Sequence, residues 1–378
     1  MFPPPDGSAD GSPGRPPAVP EAASGLGRHT AVLLVSGFFA VVLAAVSTLL
    51  PVPYVELRPG PALNTLGSQD GRSLISVTGH ETYPTSGQLD LTTVSVLGGP
   101  GQRLNLWEVV YSWLSSSDTV VPEENLFPAG VTEQESEQEN AKQMESSQKA
   151  ATAAAMSVLG VDVPTLLGVD QVDPSVPAAG VLRSGDVLLD VDGAAVDDVP
   201  SLRAALAGVE PGAQVTLRIR RDGAEQTVST ATIDGEDGRA MIGVYVNVSV
   251  EPSFQFPYTV EIQIDDIGGP SAGMMFALGI VDVLTPGPMT GGKHIAGTGT
   301  IDAGGTVGPI GGIQQKMIGA RRAGADWFLA PALDCPEVVG HVPEGLHVVQ
   351  VSTLPEAITA VRTIASGQGT DALPTCTP

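Results

Sequence analysis

Residues 30–50 read TAVLLVSGFFAVVLAAVSTLL and hold no charged side chain. As an α-helix such a run is roughly 31 Å long at about 1.5 Å per residue, the thickness of a bilayer's hydrocarbon core. A cleaved secretory leader would also be apolar, and Ala45-Val46-Ser47 has the small residues of a cleavage site. Leader cores, however, run only about 7–15 residues, so the length predicts a retained membrane span over 30–50. Arg15, Arg28 and His29 precede it and Arg58 follows it. The positive-inside rule then places a single-pass chain in the cell membrane, its N-terminus cytoplasmic and everything after about residue 51 outside. Residues 1–27, rich in Pro, Gly, Ser and Ala, read as a disordered cytoplasmic tail.

The remaining chain is long enough for two or three domains. A formal charge of −24 argues against nucleic acid, whose phosphates it would repel. The two cysteines, Cys335 and Cys376, belong to no CxxC or Cys/His cluster, so no metal site is expected. No G-x-x-x-x-G-K-[ST] occurs, so neither ATP nor another cofactor is expected. Residues 51–160 contain strand-like alternation in SLISVTG and QLDLTTVSVLGG, a helical pattern at 104–115, and a run of helix formers at 133–160. They carry no catalytic pattern and read as an α+β spacer or docking region outside the membrane.

From residue 162 the texture changes. PAAGVLRSGDVLLDVDG strings small-small-Gly, Gly-Asp and Asp-Gly turns between strands. Pro200 opens a short helix, SLRAALAG, and QVTLRIRRDGAEQTVSTAT reads as a hairpin turning at Asp222-Gly223. Residues 162–234 resemble a PDZ domain of the type found in bacterial proteases. The resemblance implies a groove between one strand and residues 201–207 that takes up an extended peptide by strand addition, through Leu167, Gly168, Val169, Leu202 and Leu206. A PDZ that only orients a neighbouring domain is the plainer alternative.

Residues 256–264 alternate like a strand, GGPSAG follows as a turn, and MMFALGIVDVL reads as a helix. Pro270 suits a first helical position, which would put Ser271 in the first turn among unpaired N–H groups suited to a developing oxyanion. Gly-Pro-Ser as a mere helix cap explains the same letters. So does the G-x-S-x-G elbow of α/β-hydrolases, with Asp334 and His341 or His347 downstream, but no HGGG-like segment or preceding βα units accompany it. In GGIQQKMIGARRAGA, helical spacing puts Ile313, Lys316, Met317 and Ala320 on one face, and Gln314, Gln315, Arg321 and Arg322 on the other. Lys316 therefore sits on the apolar stripe with no acid three or four residues away. A snorkelling lysine is the bland reading. Burial without an anion would instead lower its pKa by about 3 pH units, about 4 kcal/mol, and make it a usable base.

GGPSAGMMFAL, Met289-Thr290-Gly291, GTGTIDAGGTVGPIGGIQQKMIGARRAGA and WFLAP together resemble the proteolytic domain of the Lon (S16) family, over 236–365. The order of anchor, PDZ and Lon-type domain resembles the membrane-anchored PDZ-containing Lon-like proteins of Gram-positive bacteria. The resemblance implies an α+β multidomain serine endopeptidase with Ser271 as nucleophile and Lys316 as base. It implies that Thr290 orients the amine, and that Gly269 and Pro270 shape the oxyanion site. The acid that often precedes Gly-Pro-Ser in this family is replaced by Gly268, with Asp265 and Asp266 slightly earlier. The acid that often follows Met-Thr-Gly is replaced by Gly292. Without a motor, the expected substrates are unfolded or extended polypeptides, and the family's frequent ring assembly leaves a homo-oligomer open. A non-catalytic peptide-binding scaffold on the same domains is the rival from another class. Outside the cytoplasm Cys335 and Cys376 can pair, tying a tail at 366–378 to the catalytic domain.

Overall fold

Helix α1 (Arg28–Leu49) takes up the apolar stretch, and among the described residues it is the one helix long and apolar enough to cross a membrane. The computed structural model describes residues 27–69, 71–128, 130–235, 238–251, 253–264 and 267–377. The tail at 1–26 and the acids Asp265 and Asp266 lie outside them. The chain divides into two units, Met1–Leu50 and Pro51–Pro378.

In the second unit, short β1 (Pro51–Val52) leads into β2 (Tyr54–Asn64). The alternating segment QLDLTTVSVL forms β3 (Gln88–Leu97). After β4 (Leu104–Asn105) comes α2 (Leu106–Leu114), whose N-terminus is closed by a capping box between Asn105 and Glu108. Then follow β5 (Thr119–Pro122) and α3 (Glu133–Val158), the latter capped by Thr132 and Glu135. The acidic first half of α3 is largely exposed, whereas its Ala-rich second half is buried through Met156.

The expectation of a separate spacer at 51–160 does not hold. The central sheet runs β13–β12–β11–β3–β2–β5, where β11 is His294–Gly297, β12 is Trp327–Pro331 and β13 is His347–Val351. Its first half in sequence supplies β2, β3 and β5, and parallel pairing of Gln88–Leu91 with His294–Gly297 joins the halves. Helix α5 (Gly273–Leu284) is apolar apart from the buried Asp282, and all of it but Val283 is buried, against α3 and the sheet. Helix α6 (Ile313–Ala323) begins after Gly312, whose φ of 69° only glycine adopts readily, and packs on β2 and β3.

The PDZ-like sheet lies in the chain between these halves, in the order β9–β8–β7–β6–β10. Its strands are β6 (Thr165–Val172), β7 (Val187–Val191), β8 (Gln214–Arg221), β9 (Ala224–Ala231) and β10 (Val244–Val250). Asp222 and Gly223 turn the β8–β9 hairpin with φ of 51° and 80°, the left-handed pair such a tight turn requires. Helix α4 (Val199–Leu206), capped by Asp198, packs Leu202 and Leu206 into the same core. The boundary expected at 236 is displaced, because β10 belongs to the PDZ-like sheet.

Candidate active site

Ser271 lies in a tight turn two residues before α5, not in its first helical turn. Gly273 N–H closes the turn onto the Pro270 carbonyl at 3.3 Å, and regular helix begins at Gly273. The two glycines of GPSAG have separate causes. Gly269 has φ of 85°. A Cβ on Gly273 would lie 2.8 Å from both Ile301 Cγ2 and Ser147 Oγ, so any side chain there would push α3 away. Helix α3 grips the turn directly: Ser147 Oγ donates to the Pro270 carbonyl at 3.0 Å, and Gly269 N–H donates to the Asn140 carbonyl at 3.2 Å.

A cleft of about 610 Å³ opens over this turn. Ser271 and Lys316 both line it, with Thr92–Val96 of β3, Asn140 and Gln143 of α3, and Gly311. Lys316 is only 3% exposed, and desolvation lowers its pKa from 10.5 to about 8. The one opposing influence is Asp334, which comes from after β12 rather than from the lysine's own helix. Asp334 is itself raised to about 6 by burial, although the Ile310 N–H and the nearby lysine favour its charged form.

Lys316 Nζ donates to Thr298 Oγ1 at 3.2 Å, and the Thr298 hydroxyl donates to the Ser271 carbonyl at 3.0 Å. Thr298 thus links the two residues that the sequence singled out. Thr290 does not take that place. It is fully buried, its hydroxyl donates to the Ser86 carbonyl, and it receives the Gly292 N–H at 3.2 Å. The oxyanion expectation shifts as well. Pro270 has no N–H, and the Gly269 N–H is spent on Asn140. The N–H groups of Ser271 and Ala272 make no hydrogen bond among the described residues.

The histidines stand elsewhere. His294 bonds Asp90 at 2.6 Å, His347 stacks on Trp327, and His341 faces the Val339 carbonyl. None lines the cleft, which removes the support for the hydrolase elbow. The PDZ residues are placed together but not as an open groove. Strand β10 pairs antiparallel with β6 along its whole length, while β7 holds the other edge. Leu167, Val169, Leu202 and Leu206 share one core with Val248 of β10, and a Cβ on Gly168 would sit 2.6 Å from Asn247 Oδ1. The edge expected to receive a peptide is therefore filled by the chain itself. Cys335 and Cys376 are joined in a disulfide.

Sequence reasoning missed Thr298, Ser147, Asn140 and the β3 wall. Thr298 stood inside the quoted GTGTID string. The small residues at 147–155, which permit close packing of one helix on another, were the available signal for α3.

Residues 265–363 match the family model of the Lon protease (S16) C-terminal proteolytic domain, and residues 143–232 match that of a PDZ domain. The chain is 33% identical to Lon protease 1 of Bacillus subtilis (strain 168) over 118 residues, 29% of this chain and 15% of that protein. It is 42% identical to Lon protease 1 of Sorangium cellulosum (strain So ce56) over 93 residues, 24% of this chain and 11% of that one. To the Lon protease of Rhizobium meliloti (strain 1021) it is 39% identical over 93 residues, covering 24% and 11%. The matches span 11% to 15% of the length of these curated relatives.

Proposed function

We propose that this chain, which carries a PDZ domain and a Lon-type (S16) proteolytic domain, is a membrane-anchored serine endopeptidase that needs no ATP and cuts extended polypeptide outside the cell membrane. The observation that carries this reading is a desolvated Lys316, with its pKa near 8, lining the same cleft as Ser271 and tied to it through Thr298.

The neutral amine has one lone pair. One of its N–H bonds is engaged by Thr298, and the lone pair, which that donation does not use, serves the Ser271 hydroxyl in the same cleft. Lys316 takes the Ser271 proton as Oγ bonds to the substrate carbonyl carbon, and the carbonyl electron pair moves to oxygen. The Ser271 and Ala272 N–H groups hold that oxyanion. The C–N bond then breaks, and the lysine ammonium returns its proton to the departing amine. Water, deprotonated by the neutral Lys316 amine, bonds to the acyl carbon; the bond to Ser271 Oγ breaks, and the lysine ammonium returns its proton to Oγ.

Strand β3 supports an extended substrate. Its residues 88–91 are paired with β11, but beyond Leu91 that edge has no strand partner among the described residues, and Thr92–Val96 line the cleft. A polypeptide can add there by backbone hydrogen bonds. Helix α1 supplies the anchor, and the side of the membrane follows the weak charge bias around it.

The test is cleavage of an unfolded protein by the full chain in detergent, without ATP, alongside labelling by a fluorophosphonate. Loss of both in Ser271→Ala is expected. A wild-type chain that neither labels nor cleaves would make the molecule a scaffold.

A further inference from the structure

Helix α2 turns its apolar side outward. Val109 and Ser112 face the protein, whereas Tyr111 is 71% exposed, Trp113 64% and Leu114 83%. Leu106 and Trp107 also stand on the exposed side. At 100° per residue, positions 113, 106, 110, 114, 107 and 111 cover a continuous arc of about 160°. An outward face that includes Trp113, Tyr111, Leu114 and Leu106 loses free energy in water and invites a partner.

Covalent continuity points to that partner. One residue, Leu50, separates the end of α1 at Leu49 from β1. Pro51 pairs with Asn105, and Asn105 is the N-cap of α2. The start of α2 therefore lies within about two residues of chain, about 7 Å, plus one strand spacing of about 5 Å from the end of the span, however the two units are oriented. Tyr54, four residues along the chain from Leu50, packs edge-on against Trp113 at 6.4 Å between ring centres, which adds a further aromatic ring to the group. Tryptophan and tyrosine, apolar in body and polar at one tip, partition to the level of lipid headgroups.

We propose that α2 lies in the membrane interface, its Trp113, Tyr111 and Leu114 side seated at the boundary between headgroups and acyl chains of the bilayer that α1 crosses. The proposal rests on the anchored reading of α1. The helix carries no lysine or arginine and one acid, Glu108, on a chain of charge −24. Insertion is therefore driven by aromatic and aliphatic burial, needs no anionic lipid, and in zwitterionic lipid does not depend on salt. It would hold the protease body close to the membrane and limit the directions from which polypeptide reaches the cleft.

The test uses the full chain reconstituted in phosphatidylcholine vesicles, with two single-tryptophan variants. One, Trp107→Phe with Trp327→Phe, retains Trp113. The other, Trp107→Phe with Trp113→Phe, retains Trp327, which packs beside His347 in the sheet. With lipids brominated high on the acyl chain, the Trp113 emission should fall at least twofold, equally at low and high salt, and the Trp327 emission should not change. Unquenched Trp113 in protein that floats with the vesicles overturns the proposal and leaves the anchor intact. So does cross-linking between copies through position 113 without quenching, which would make α2 a contact between subunits. Failure to float overturns the anchored reading and this proposal together.

Discussion

An amine that is 3% exposed has lost its hydration and keeps its proton poorly, which is what a base at neutral pH requires. Activity should therefore rise with pH and level off above about 8, tracking the deprotonated fraction of Lys316. Lys316→Arg holds its proton at every accessible pH and should lose about 10²–10⁴-fold in kcat while remaining folded. The same burial costs stability. The folded pKa of about 8 lies below 10.5, so between those values the unfolded chain binds the extra proton. Stability rises with pH through that window, and below it the penalty is fully present, about 3 kcal/mol. Lys316→Met should stabilise the inactive protein at pH 7 by about 1–3 kcal/mol, less than the full penalty because Asp334 loses a neighbouring cation. Urea unfolding at pH 7 and pH 10 should show that gain shrinking; a constant gain would mean that the lysine is charged in the fold. Thr298→Val should cut kcat about tenfold or more at unchanged KM, and Thr298→Ser should restore most of it, since only the hydroxyl meets Lys316 and Ser271.

At the scale of elements, α3 and β10 do work that their sequences did not announce. Ser147→Ala removes the bond from α3 to the Pro270 carbonyl, and should cost about 1 kcal/mol of stability and lower kcat, while leaving the pH midpoint near 8. Because β10 covers the β6 edge, amides of Thr165–Val172 should exchange with solvent as slowly as those of β7 in the intact chain. Rapid exchange confined to β6 would show that β10 leaves and that a peptide can enter. Much of the local structure was legible. Alternation marked β3, helix formers marked α3, and the lone lysine on an apolar stripe marked Lys316 for burial. Pairing was not legible, because a period of two states which face a residue takes and not which strand lies beside it. The parallel match of Gln88 with His294 crosses the entire PDZ domain, so 51–160 looked like a spacer. The choice between Thr290 and Thr298 likewise depended on where the turn after β11 carries the chain, which no local pattern states.

For the whole molecule, the closing device is at the C-terminus. The chain leaves its last long helix, Leu354–Ser366, and returns to the sheet, where Gln350 N–H donates to the Pro374 carbonyl at 2.9 Å and Cys376 bonds to Cys335. Cys335 adjoins Asp334, the acid that acts on Lys316, so the bridge ties the tail to the segment that carries this acid. With the two half-cystines 41 positions apart in sequence, opening the bridge frees the unfolded chain by about 4 kcal/mol in the chain-entropy account. Cys376→Ser should therefore unfold at clearly lower urea than wild type, and a reductant should lower wild type to match it. The pH midpoint of activity is the sharper readout. Asp334 is also held by the Ile310 N–H, so the carboxylate should stay in place and the midpoint should remain near 8 in Cys376→Ser. A midpoint that moves down would mean that Asp334 has left the lysine, removing the one charge that favours its protonated form, and that the disulfide positions the acid.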